Sequence, residues 1–98
     1  MKQPIRIQRK RTPGWKAPEN TINVTRPGQY GNPFKIGGLG VPDAEHAVRF
    51  FENWLHTSPA GMLVARKAKN ELKGKNLMCF CALDQHCHAD ILLKISNE

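Results

Sequence analysis

Leu77-Met78-Cys79-Phe80-Cys81-Ala82-Leu83-Asp84-Gln85-His86-Cys87-His88-Ala89-Asp90 joins two kinds of local structure. Its front belongs to an extended run from Lys75 to Cys81, and its back opens an apolar-rich helix from Ala89 to Ile95. A strand feeding a helix is a building unit of α/β proteins, and in open sheets of that class ligands bind beyond the carboxyl ends of the strands. Three cysteines and two histidines fall between Cys79 and His88. The stretch that argues for the fold therefore also holds the most reactive side chains.

Working back toward the amino terminus, Pro42-Asp43-Ala44-Glu45 has the proline and acids of a first helical turn. Ala47, Phe50, Phe51, Trp54 and Leu55 then recur at helical spacing and give one apolar face. Ser58-Pro59 starts a second helix, with Met62, Ala65, Ala68, Lys69 and Leu72 along one side and Gly74 as terminator. Earlier still, Thr21-Ile22-Asn23-Val24-Thr25 and Ile5-Arg6-Ile7-Gln8 alternate apolar with polar residues as half-buried strands do. The order is strand, strand, two helices, strand, helix. A strand, a crossover and another strand pair in parallel, so residues 21–25 and 76–81 are expected to be neighbours. The fold class is α/β: a small single domain with a short parallel or mixed sheet packed by about three helices. Its compact part is expected over residues 21–98, behind a basic arm or edge strand over residues 1–20. The core should rest on Ile22, Val24, Phe50, Phe51, Trp54, Leu55, Leu72, Leu77, Ile91, Leu92 and Ile95. That is limited for 98 residues, and a homodimer or a bound partner would help.

The net charge of +7 is unevenly placed. Residues 1–35 hold eight basic residues and one acid, whereas residues 36–98 hold seven of each. A cationic segment of this kind attracts nucleotides, nucleic-acid backbones or acidic protein surfaces, with Arg9, Lys10, Arg11 and Lys16 as nucleic-acid contacts. Trp15, Tyr30 and Phe34 are interleaved with those charges. Residues 26–42 contain five of the eight glycines and three of the seven prolines, a long structured loop of the kind that carries function. No apolar run approaches the ~18 residues of a membrane span, so no membrane role is expected. The positive start lacks the apolar segment of a secretory signal, and the expected location is the cytoplasm. With all three cysteines between residues 79 and 87, a disulfide framework linking distant segments is excluded.

Two chemistries compete for the cysteine and histidine cluster. In the catalytic reading Cys79 or Cys87 is a nucleophile or redox thiol, His88 or His86 a base, and Asp84 or Asp90 an orienter. In the metal reading Cys79, Cys81, Cys87 and His88 supply four zinc ligands. Spacing counts against zinc: residues two apart on a straight strand have Cα atoms ~6.6 Å apart, so a bulge or the strand's end is required. Cys87 and His88 diverge by ~100° if both are helical, so they share an ion only from a non-helical turn. His46 and His56 read as helix-surface residues.

Tyr30-Gly31-Asn32-Pro33-Phe34-Lys35-Ile36-Gly37, Phe51-Glu52-Asn53-Trp54-Leu55, Leu72 to Cys81 and Cys87-His88-Ala89-Asp90-Ile91-Leu92 together resemble a phage and bacterial family known as domain of unknown function number four-three-two-six. The resemblance spans most of residues 21–96 and leaves the five Arg and Lys before residue 12 outside. Phe80 stands where the family pattern has Trp. A second uncharacterised family is similar at the late motif and often lacks the middle cysteine, which favours Cys79 and Cys87-His88 over a four-ligand zinc site. The resemblance implies that the Gly-Asn-Pro-Phe loop and the Cys-His junction belong to one domain and one pocket. Asn32 would then meet a base or ribose, with Arg26, Phe34, Lys35 and Gly37 completing a ligand site and glycine amides facing phosphate. The expected function is nucleotide or nucleic-acid binding through the basic segment and glycine-rich loop, beside a Cys/His active site of Cys79, Cys87, His88 and Asp90. The alternative is a non-enzymatic, zinc-stabilised protein that docks on a host protein.

Overall fold

The computed structural model describes residues 3–25 and 28–98. The chain runs β1 (Arg6–Gln8), β2 (Thr21–Asn23), α1 (Ala44–Thr57), α2 (Pro59–Glu71), β3 (Asn76–Cys79) and α3 (His88–Ser96). The sheet has the order β1-β3-β2 and both pairings are parallel, with Arg6 opposite Leu77 and Ile22 opposite the same residue on the other side. Residues 21–25 and 76–81 are thus neighbours, and the sheet is parallel rather than mixed.

Asn76 fixes the register of the whole sheet. Its Oδ1 accepts from Ile5 N–H at 3.0 Å, and its own N–H donates to Asn20 O at 2.9 Å. Asn20 makes the turn before β2 at φ 58°, a conformation its short polar side chain tolerates, and donates from Nδ2 to Gly74 O. Val24 continues the pairing beyond β2 through its N–H to Met78 O at 3.0 Å.

α1 forms where the sequence places it. Asp43 is extended, and its Oδ1 accepts from His46 N–H at 2.9 Å, satisfying one of the first-turn donors. Ala47, Phe51 and Leu55, four apart, face inward and are buried, while Phe50 and Trp54 are half-buried. Ser58 breaks the helix with an extended backbone, and Pro59 supplies the first position of α2, where a missing N–H costs little. α2 buries Gly61 and Ala68, and Leu72, which caps its carboxyl end, is also fully buried. Its inward stripe differs from the expected one: Met62 is 46% exposed and Lys69 is exposed, because the close approach to α1 is made by Gly61. Gly74, at φ 76°, turns the chain out of α2 toward β3.

α3 packs on β3 and β1 and touches both other helices. Phe51, Leu55, Leu72, Leu77 and Leu92 are fully buried where these elements meet, each contributing ~1.5–3 kcal/mol by removal from water. The same core takes in Tyr30, Ala68, Cys79, Cys87 and Ala89, beyond the apolar residues expected. No described helix is long and apolar enough to cross a membrane.

Candidate functional site at the cysteine and histidine junction

β3 ends at Cys79, and that ending brings the sulfurs together. Pairing stops, the chain turns through Phe80, and Cys81 Sγ comes to 3.7 Å from Cys79 Sγ, a closeness that a straight strand forbids. Cys87 caps α3 with an extended backbone, φ −147° and ψ 141°, so its side chain does not follow the helical fan that starts at His88. The three sulfurs lie within 4.8 Å of one another and all are free thiols. Both conditions that the sequence sets for a shared ion, the strand's end and a non-helical Cys87, are met.

His88 is buried in the first turn of α3, with Phe51 edge-on at 5.5 Å between ring centroids. Its Nε2 is 2.7 Å from Val24 O. A carbonyl oxygen only accepts, so Nε2 carries the proton and, in the neutral ring, Nδ1 keeps its lone pair. That nitrogen lies 3.7 Å from Cys87 Sγ. Because Val24 is itself held by Met78 O, the imidazole is oriented from the sheet.

The thiols do not behave as three independent groups. Cys79 is held well below the ordinary thiol range, first by the Cys87 thiol facing it and then, against its burial, by His88. Cys87 is driven up by the same partnership with Cys79 and by burial, and Cys81 is raised mainly by burial. The cluster therefore favours one negative charge, centred on Cys79. Cys79 and Cys87 are 7% and 2% exposed, which withdraws both candidate nucleophiles from solvent. Cys81, absent from the catalytic set, is the more accessible sulfur.

Arg6 supports the junction from β1, and nothing in its sequence context distinguishes it from an outward-facing strand residue. Its side chain is 8% exposed. Nη2 donates to Ala82 O at 3.1 Å and Leu83 O at 2.6 Å, tying the β3–α3 loop to the sheet. Nη1 lies 3.6 Å from Asp90 Oδ2 and makes no hydrogen bond. Asp90, expected in the catalytic set, is thus engaged as the counter-ion of Arg6. Asp84 and His86 are exposed on the same loop.

The basic segment meets this junction. Arg9 donates its N–H to Cys79 O at 2.8 Å, and the guanidinium groups of Arg9 and Arg11 lie 5.0 and 4.5 Å from the centroid of the half-exposed Phe80 ring. Lys10 and Lys16 are exposed.

The Gly-Asn-Pro-Phe loop serves the fold instead. Asn32 is buried; its Nδ2 donates to Ala47 O at 3.0 Å and its Oδ1 accepts from Phe34 N–H at 2.8 Å, so the amide expected to meet a base is occupied. Gly37 gives its N–H to Val41 O and Gly38 to Lys35 O, so neither amide faces a phosphate. Phe34 packs edge-on against Phe50 in a groove with Leu39, Asn53, Trp54 and Thr57, which does not reach the sulfurs. Lys35 is exposed, and Arg26 lies outside the described residues. The loop and the junction are linked through α1, where Asn32 holds Ala47 and Phe51 packs on His88, rather than through a shared groove.

A three-stranded parallel α/β domain with a buried sulfur and imidazole centre at its strand-to-helix junction is the class these observations define. The chain belongs to the family described as Domain of unknown function (DUF4326), whose model matches residues 7–98. The match includes Arg9, Lys10 and Arg11, which the sequence resemblance leaves outside. No curated protein and no solved structure matches the chain.

Proposed function

We propose that the protein binds nucleic acid through the cationic face centred on Phe80. The observation that carries this reading is the stacking of Arg9 and Arg11 on that ring, with Lys10 between them in sequence. Stacking fixes a guanidinium before a ligand arrives, so less side-chain entropy is lost on binding, while its in-plane N–H donors stay free for phosphate oxygens. Phe80, 36% exposed, offers apolar contact to a base beside those donors. The sulfur and imidazole centre supports the face from beneath, because Cys79 O holds Arg9 and the ring follows Cys79 directly. The excess charge lies in residues 1–35, the segment that contains Arg9, Lys10 and Arg11.

Fluorescence anisotropy with labelled single-stranded DNA and RNA over a range of salt tests the proposal. Three phosphate contacts give a slope of about −2 in log K against log salt, at ~0.7 per phosphate neutralised. Arg9→Ala/Arg11→Ala should flatten that slope by about 1.4 on the same scale. Absence of binding at low salt, or an unchanged slope in the double variant, refutes the assignment.

A further inference from the structure

We propose that Cys79, Cys81, Cys87 and the Nδ1 atom of His88 form a four-ligand site for a single zinc ion. The argument is geometric and stands apart from nucleic-acid binding. Tetrahedral zinc with Zn–S of ~2.3 Å sets its sulfurs about 3.8 Å apart, and with Zn–N of ~2.0–2.1 Å places a sulfur and a nitrogen about 3.6 Å apart. Here Cys79 and Cys81 Sγ are separated by 3.7 Å and the three sulfurs fall within 4.8 Å of one another, whereas His88 Nδ1 lies 3.7 Å from Cys87 Sγ but beyond 4.8 Å from at least one of the other two, so it completes the set only with a small shift of the ring or of the loop that carries Cys81. Three thiols and an imidazole are a donor set that selects zinc among the common divalent ions.

The outer contacts point the same way. A ligating histidine donates its other ring N–H to a carbonyl or carboxylate, which is what His88 does with Val24 O. Three thiolates and a divalent cation leave one net negative charge. Arg6 reaches from β1 to the loop between the ligands, where its charge is shared with Asp90 Oδ2 at 3.6 Å. Ligands come from the end of β3, the loop and the first turn of α3, so one ion would clamp the strand to the helix. Each thiol that ligates gives its proton to the buffer, and no oxidation or reduction occurs.

Full-length untagged protein, reduced and stripped with a chelator, is titrated with Co²⁺ and then with Zn²⁺. One equivalent of Co²⁺ should give thiolate-to-cobalt charge-transfer absorption with tetrahedral d–d bands, and Zn²⁺ should abolish both. His88→Ala should shift the d–d bands while keeping the charge transfer. Cys81→Ser should reduce the charge transfer by roughly one third. Each should weaken zinc binding more than about a hundredfold, since even outer partners of a ligand change affinity 10–100-fold. Cys81 is half-buried, so its variant keeps the test readable if Cys79→Ser or Cys87→Ser fails to fold, with helicity as the check. Arg9→Ala/Arg11→Ala should retain full uptake, which separates this site from the nucleic-acid face. No saturable uptake by the stripped wild type overturns the proposal, as does cobalt absorption without thiolate charge transfer. A folded His88→Ala with unchanged spectrum and affinity also overturns it.

Discussion

Replacing Gly61 by alanine should destabilise the protein, against the usual direction of that change inside a helix. Alanine in a helix interior is favoured over glycine by ~1 kcal/mol, which is the most that an unobstructed site in the first turn of α2 would gain. At Gly61 a Cβ would sit 2.0 Å from Trp54 O, 2.6 Å from the Trp54 carbonyl carbon and 2.9 Å from Trp54 Cδ2. Two of those atoms are backbone, and the oxygen already accepts the Ser58 N–H at 3.0 Å, so no rotamer relieves the overlap. The helices must part by more than about 1 Å beside a connection that leaves only Ser58 between them, a strain at or above the top of the ~1–3 kcal/mol range for overpacking. Subtracting the propensity gain leaves a net loss of about 2 kcal/mol. For a domain of 98 residues that is a fall in Tm of roughly 8–16 °C, at ~4–8 °C per kcal/mol. Thermal and urea unfolding followed by circular dichroism measure it. A Gly61→Ala protein as stable as the wild type, or more so, refutes the close approach of α1 and α2.

Two predictions concern pH. Tyr30, the single tyrosine, donates its hydroxyl to Glu71 Oε1, and burial followed by that carboxylate raises its pKa above the ordinary phenol value. A raised folded pKa means stability that is full below the unfolded value of ~10 and lost as pH rises above it. Tyrosinate absorbance should therefore appear together with loss of helicity, and a titration near pH ~10 in folded protein would contradict the contact. Asp43 is held below the usual carboxylate range, first by the His46 backbone N–H it accepts and then by the His46 ring. Its contribution is present above the unfolded pKa of ~4 and disappears as pH falls, so Asp43→Asn should flatten the acid limb of Tm against pH. An unaltered limb would assign acid sensitivity to other carboxylates.

The elements most legible in the sequence are those fixed by local chemistry. Pro42-Asp43 and the spacing of Ala47, Phe51 and Leu55 define α1 without knowledge of the sheet, and the alternation at Thr21–Thr25 locates β2. What a one-dimensional pattern misses is closeness in space. Cys79 and Cys81 stand too far apart for one ion on a strand that continues through Cys81, whereas loss of pairing after Cys79 bends the chain. Gly61 displaces Met62 from the buried stripe of α2 because the neighbouring helix is nearer than any side chain allows. Asn32 looks like a ligand amide until Ala47 O and the Phe34 N–H are seen to occupy it. Arg6 alternates like any outward strand residue, and only the fold reveals that it ties down the loop before α3.

The strand order has a consequence for how the molecule comes together. β3 is the middle strand yet the last to be made, and both earlier strands pair only with it. Ile5 and Asn76, bonded at one edge, are 71 residues apart, a separation that makes sheet closure the slow, entropically expensive event. The α1–α2 hairpin has local contacts and is free to form first. During synthesis β1 and β2 therefore wait as unpaired segments, and a chain interrupted at Gly74 lacks the one strand that both of them pair with.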